Sequence, residues 1–159
     1  MMNKIIFSLG SLLMITSVNS LANELYFETH PVFESTDKGN LLVGHNKLGL
    51  YTFKKDLNSP TKPQCTTLED KGPLGSCLAR WPAAVVSQEN IEDIMASDSN
   101  FGIVYNEDIK MLQLTYFDLP VYYWFKDSNI KNFTGDGVQN AWSLIVQGKK
   151  PVMFNGLNK

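Results

Sequence analysis

Short runs of apolar and alternating residues, each about a strand long, recur along the chain between turn residues. The first set is 31–36 "PVFEST", 40–45 "NLLVGH" and 48–53 "LGLYTF", with Asp37-Lys38-Gly39 and Asn46-Lys47 as turns. The second set is 101–106 "FGIVYN", 110–117 "KMLQLTYF" and 119–125 "LPVYYWF", with turns at Glu107-Asp108 and Asp118. Each set reads as a three-stranded meander. After Trp142, "SLIVQG" predicts another strand, and the tail from Lys149 one more. Between the sets one short helix is expected: Ser87 stands at its cap, Glu89 lies in its first turn, and Ile91, Ile94 and Met95 share a face.

Both sets end in the same pattern. Tyr51, Phe53 and Asp56 recur 71 residues later as Tyr122, Trp124 and Asp127. Residues i and i+2 of a strand point to one face, so each pair of aromatics anchors one side of its strand. Thr52 and Lys54 predict a first strand buried on one side only, whereas Tyr123 and Phe125 make the second aromatic on both. Each aspartate falls beyond its strand, where it can accept backbone N–H groups and shape a turn. A tryptophan follows each motif, Trp81 in "CLARWP" and Trp142 in "GDGVQNAW". The pattern predicts an internal duplication, with repeats at about 31–86 and 101–146. The expected fold is mainly β, with two related meanders packed as a sandwich or small barrel.

The N-terminus changes the picture of location. Lys4, an interrupted apolar run over Ile5–Val18 and the small residues Ser20 and Ala22 read as a signal peptide over residues 1–22, cut after Ala22. The run is shorter than the roughly 20 residues of a spanning helix. Asn23 rather than cysteine follows the cut, so no lipid anchor is expected. The single exported domain would be residues 23–159, periplasmic or secreted. Removing Lys4 leaves 13 basic residues against 16 acidic, a net charge of −3 with no basic run. That argues against a nucleic-acid partner. Cys65 and Cys77 predict one disulfide in an oxidising compartment, closing a polar loop and contributing about 3 kcal/mol on the chain-entropy model.

These residues resemble the secreted-repeat lipoprotein family, exported bacterial proteins with a Y-x-[FWY]-x-x-D motif. Tyr51, Phe53 and Asp56 match it, as do Tyr122, Trp124 and Asp127. Cys65, Cys77, Trp81 and Pro82 stand where that family has two cysteines and a tryptophan-proline step. Gly135, Asp136, Gly137 and Trp142 resemble its closing glycine-rich stretch. The similarity runs from Gly39 to Trp142. Here eleven residues separate the cysteines, Ala83 replaces a second proline, and no lipidated cysteine is present. The resemblance implies an exported duplicated domain and carries no reaction with it.

Three functional readings stand side by side. Tyr51, Phe53, Trp81, Tyr122, Trp124 and Trp142 either line a cleft for a small ligand or envelope protein, or form the core where the repeats meet. A metal- or haem-associated protein is the alternative. However, His30, His45, Met95, Met111 and Met153 show no ligand spacing, there is no C-x-x-C-H, and Asp127, Asn129 and Asp136 lack EF-hand order. No metal or cofactor is therefore expected. A hydrolase using Asp56 and Asp127 as paired carboxylates is the third reading. No nucleophile elbow, H-E-x-x-H or phosphate loop accompanies them, so no catalytic residue is assigned. The expectation is a non-catalytic binding or envelope-interaction module.

Overall fold

A computed structural model describes residues 28–67, 75–128 and 132–151. The expected signal peptide, the middle of the cysteine loop, Asn129, Met153 and most of the expected tail strand lie outside these residues. The described chain is mainly β. Strands β1 (Val32–Thr36) and β2 (Gly39–Val43) form a two-stranded sheet. Strands β3 (Tyr51–Phe53), β4 (Phe101–Asn106), β5 (Met111–Tyr116), β6 (Leu119–Tyr122) and β7 (Trp142–Leu144) form a second sheet in the order β4-β5-β6-β3-β7. Every ladder is antiparallel.

The second expected set keeps the order β4-β5-β6, paired closely only between β4 and β5, whereas the first set is divided between the two sheets. Strand β3 leaves β2 and joins the second sheet, where Tyr51 stands directly opposite Tyr122. The cause is an exchange of segments. Residues 83–86 from the first half of the chain insert between β5 and β6: Leu114 N donates to Ala84 O (2.8 Å) and Ala84 N to Val121 O (3.0 Å). From the second half, Ile145 inserts between β2 and β3: Leu42 N donates to Ile145 O (2.9 Å) and Ile145 N to Leu50 O (3.0 Å). Strands β5 and β6 therefore pair only beside their turn, at Tyr116–Leu119 and Thr115–Pro120. Strand β2 keeps one bridge, Val43–Gly49, to the segment that leads into β3.

The turns of the two halves match. Asn46 and Lys47 (φ 52° and 59°) and Phe117 and Asp118 (φ 49° and 64°) give each hairpin two left-handed residues, as a type I′ connection requires. The 37–38 turn closes on Gly39 (φ 112°), with Thr36 Oγ1 donating to its carbonyl (2.8 Å).

Strands β3 and β6 are central and covered on both sides. Leu50, Val121 and Tyr123 enter one core with Leu42, Leu114, Tyr116 and Ile145. Tyr51, Phe53, Tyr122 and Trp124 enter the other. Thr52 is buried too, which corrects the expectation of a one-sided first strand. Phe33 of β1 lies 5.9 Å from Phe101 of β4, so the outermost strands of the two sheets meet over the first core.

The helix between the halves is α2 (Ile91–Ser97), preceded by a 3-10 turn over Gln88–Asn90. Ile94 is buried and Ile91 packs on the first core, but Met95 is 47% exposed and not part of that face. Ser87 accepts from the Asn90 side chain (2.8 Å) rather than from a helix amide. One further helical turn, α1 (Cys77–Arg80), is capped by Ser76 and tied by the Cys65–Cys77 disulfide. Both cysteines are buried in the second core.

Candidate functional site

The eight residues singled out in the sequence converge on that second core. The second aromatic of each motif, Phe53 and Trp124, lies on the tryptophan of the opposite half. Trp142 is paired with Phe53 in the β3–β7 ladder, and their rings stack at 4.2 Å. Trp81, delivered by the end of α1, lies 4.0 Å from Trp124. The two tryptophans stack on each other at 3.7 Å, with only 4° between planes. Phe53, Trp142, Trp81 and Trp124 thus form one column of four rings.

The tyrosines flank it edge-on, Tyr51 against Trp81 (5.6 Å) and Tyr122 against Trp142 (5.3 Å). Lysines stand over both end rings, Lys55 over Phe53 and Lys126 over Trp124, each 5.9 Å from the centroid. Both occupy the same place in their motif, one residue before the aspartate, a shared position the sequence reading passed over. All six aromatics are between 0 and 8% exposed. They are core, and of the six only Trp81 and Trp124 also border a cleft.

The aspartates cross over as well. Asp127 Oδ2 accepts from the Tyr51 hydroxyl (2.5 Å), while its Oδ1 accepts from the Thr134 amide (2.8 Å) and hydroxyl (3.0 Å). Asp56 Oδ1 accepts from the Gln64 amide (2.7 Å), and its carboxyl faces Tyr122. Each carboxyl does hold a local backbone amide, seven or eight residues on. Each also meets the tyrosine of the other motif, which spacing within one motif does not reveal.

The two pairs differ. Tyr51–Asp127 is a well-formed hydrogen bond, whereas Asp56 Oδ2 and the Tyr122 hydroxyl are both buried without a partner in good geometry. Burial pushes the Asp56 carboxyl up to about 7, opposed by the Gln64 amide and Tyr122. Burial raises Asp127 as well, opposed by Tyr51 and Thr134. Both tyrosines are raised far above the ordinary range, first by burial and then by the facing carboxyl.

Gly135 makes the Tyr51–Asp127 side fit. A Cβ there would lie 2.8 Å from Tyr51 Cζ and 3.0 Å from Trp124 Cβ. Gly135 belongs to the glycine-rich stretch that precedes Trp142, and this close approach is what requires it.

Beside the Trp124 end lies an open cleft of about 400 Å³. Arg80, Lys126, Thr134 and Gln139 line it together with Trp81, Trp124 and Val138. Neither Asp56 nor Asp127 lines it, so the paired-carboxylate arrangement of a hydrolase is not present there. Asp136 is engaged elsewhere, accepting from the Leu144 amide (3.0 Å). Among the described residues no group of three His, Cys, Asp or Glu could hold a metal ion, and no helix is long and apolar enough to cross a membrane. Sequence reasoning missed Arg80, Lys126, Thr134 and Gln139, which come together only because the two halves interlock. No protein-family model, curated protein or solved structure matches the chain.

Proposed function

We propose that this chain is an exported, non-catalytic binding module of the bacterial envelope, built from two copies of one unit and akin to the secreted-repeat lipoproteins. In this reading its motifs are the internal frame, its two sheets pack as a sandwich, and its ligand sits in the cleft beside Trp124. The observation that carries the reading is the cleft itself. Two cationic side chains, a hydroxyl, an amide and the margins of two indoles converge on a volume suited to a small molecule. That lining favours a small carboxylate with a flat apolar part. The matching turns, the matched ring contacts and the 71-residue offset support duplication; the N-terminal pattern and the disulfide support export.

Tryptophan fluorescence tests the site, since Trp124 borders it. Indole-3-carboxylate is expected to quench the emission saturably, and its neutral carboxamide is not. Lys126→Glu, at an exposed position, should weaken binding about tenfold or more, roughly the 1.4 kcal/mol of one charged contact. Equal quenching by both probes, or none by either, removes the cleft as an anion site.

A further inference from the structure

We propose that the stacked rings and the Tyr51–Asp127 pair form a one-electron relay, in which an oxidising hole entering at Trp124 comes to rest on Tyr51. The proposal does not depend on the ligand of the cleft. Three observations carry it. First, Trp124, Trp81 and Trp142 lie in succession at 4.0 and 3.7 Å, Trp124 tilted by 31° on Trp81 and Trp81 stacked 4° from parallel on Trp142. Parallel indoles at contact share a positive charge between them, which makes the pair easier to oxidise than one indole alone. Lysines over the two end rings disfavour positive charge there and drive it to the middle of the column. Second, Tyr51 lies edge-on to Trp81 at 5.6 Å, next to the middle of the column. Third, a phenol gives up an electron readily only when its proton has somewhere to go. Asp127 Oδ2 already accepts that proton in a hydrogen bond, and Thr134 donates twice to the other oxygen, holding the carboxylate fixed. Tyr122 lacks such an acceptor in good geometry, so the column drains to one tyrosine and not to its counterpart.

An outer-sphere one-electron oxidant at the cleft takes one electron from Trp124 and is reduced by one. Electrons then move from Trp81 to Trp124 and from Tyr51 to Trp81, restoring both indoles. The Tyr51 O–H bond breaks, its proton bonds to Asp127 Oδ2, and a neutral tyrosyl radical remains beside a neutral carboxyl. The activity this assigns is the harmless uptake of one-electron oxidants, with the hole held inside the core until a reductant returns the electron.

Flash-generated tris(bipyridine)ruthenium(III) supplies the oxidant for a test, with transient absorption and electron paramagnetic resonance as readouts. Tyr26→Phe and Tyr105→Phe first remove two tyrosines outside the relay. The expected record is a tryptophan radical that gives way to a tyrosyl radical. Tyr51→Phe should abolish the tyrosyl signal and leave the tryptophan radical long-lived, Asp127→Asn should slow its appearance, and Tyr122→Phe should change neither. In the protein with Tyr51 and Asp127 intact, deuterated water should slow the tryptophan-to-tyrosine step, a readout independent of any effect of mutation on folding. A tyrosyl signal that survives Tyr51→Phe, disappears in Tyr122→Phe, or forms with no isotope effect overturns the relay.

Discussion

Trp142→Ala is expected to destabilise the protein by about 4 kcal/mol, within the roughly 3–5 kcal/mol seen when a buried aromatic is cut to alanine. Trp142 is 1% exposed and sits inside the ring column. It touches Phe53 and Trp81 face to face and Tyr122 edge-on. Its removal opens a void walled by side chains from both halves. The Cβ ladder beneath, Phe53 paired with Trp142 and Tyr51 with Leu144, keeps those walls from collapsing inward. The lost stacking adds about 0.5–1.5 kcal/mol per ring pair to the lost burial. Urea unfolding should show the midpoint fall with an unchanged slope. Phe125→Ala is the comparison: that ring is 41% exposed and meets only the end of the column, edge-on to Trp124 at 4.8 Å, so its loss should cost about 1 kcal/mol or less. Similar effects for the two variants would mean the column is not a structural frame.

The second large effect concerns pH. Asp56 has an ordinary value of 3.8, raised to about 7 in the folded chain by burial. A raised folded value means the folded state binds the proton more tightly than the unfolded one. Its favourable contribution is therefore complete below about pH 4 and is lost as pH rises towards 7, above which both states are ionised. At 1.36 kcal/mol per pH unit of separation, the protein should lose about 2–4 kcal/mol between pH 4 and pH 8 through this group. Asp127, raised by the same cause, acts in the same direction. Asp56→Asn keeps an acceptor for the Gln64 amide and supplies a neutral donor towards Tyr122. It should flatten this part of the profile and make the variant more stable than the parent at pH 8. Chemical denaturation from pH 4 to pH 8 checks both points. A parent protein that gains stability across that range, or an asparagine variant that loses it at pH 8, contradicts the assignment.

Much of the fold was legible because alternation in a strand has a fixed period. Tyr51 with Phe53, and Tyr122 with Trp124, had to share faces, and they do. Turn residues marked the hairpins for the same local reason. Alternation says which side a residue takes but not which strand lies beside it. The pairing of Tyr51 with Tyr122, and the insertion of 83–86 and Ile145 between hairpin strands, are contacts between distant segments that no local pattern encodes. That is why a continuous first meander was expected where β3 lies in the other sheet, and why the wedge of 83–86 between β5 and β6 was not foreseen. The same non-locality hid the crossed roles of Asp56 and Asp127. Thr52 looked solvent-facing because threonine is tolerated on either face, yet β3 is central. The helix α1 is one turn long, too short to show a period, and is held by its cap and its disulfide. The cleft residues carried one signal, the lysine common to both motifs, which matters only once the rings it covers are stacked.

A double-mutant cycle on Tyr51→Phe and Asp127→Asn, measured by equilibrium unfolding, tests the crossing of the two motifs most directly. The structure predicts a coupling of about 1–3 kcal/mol between these residues 76 positions apart, as for a buried hydrogen bond to a carboxylate. The parallel cycle on Tyr51 and Asp56, partners within one motif, should give less than about 0.5 kcal/mol. Strong coupling inside the motif and none across it would contradict the exchange of side chains on which the frame rests.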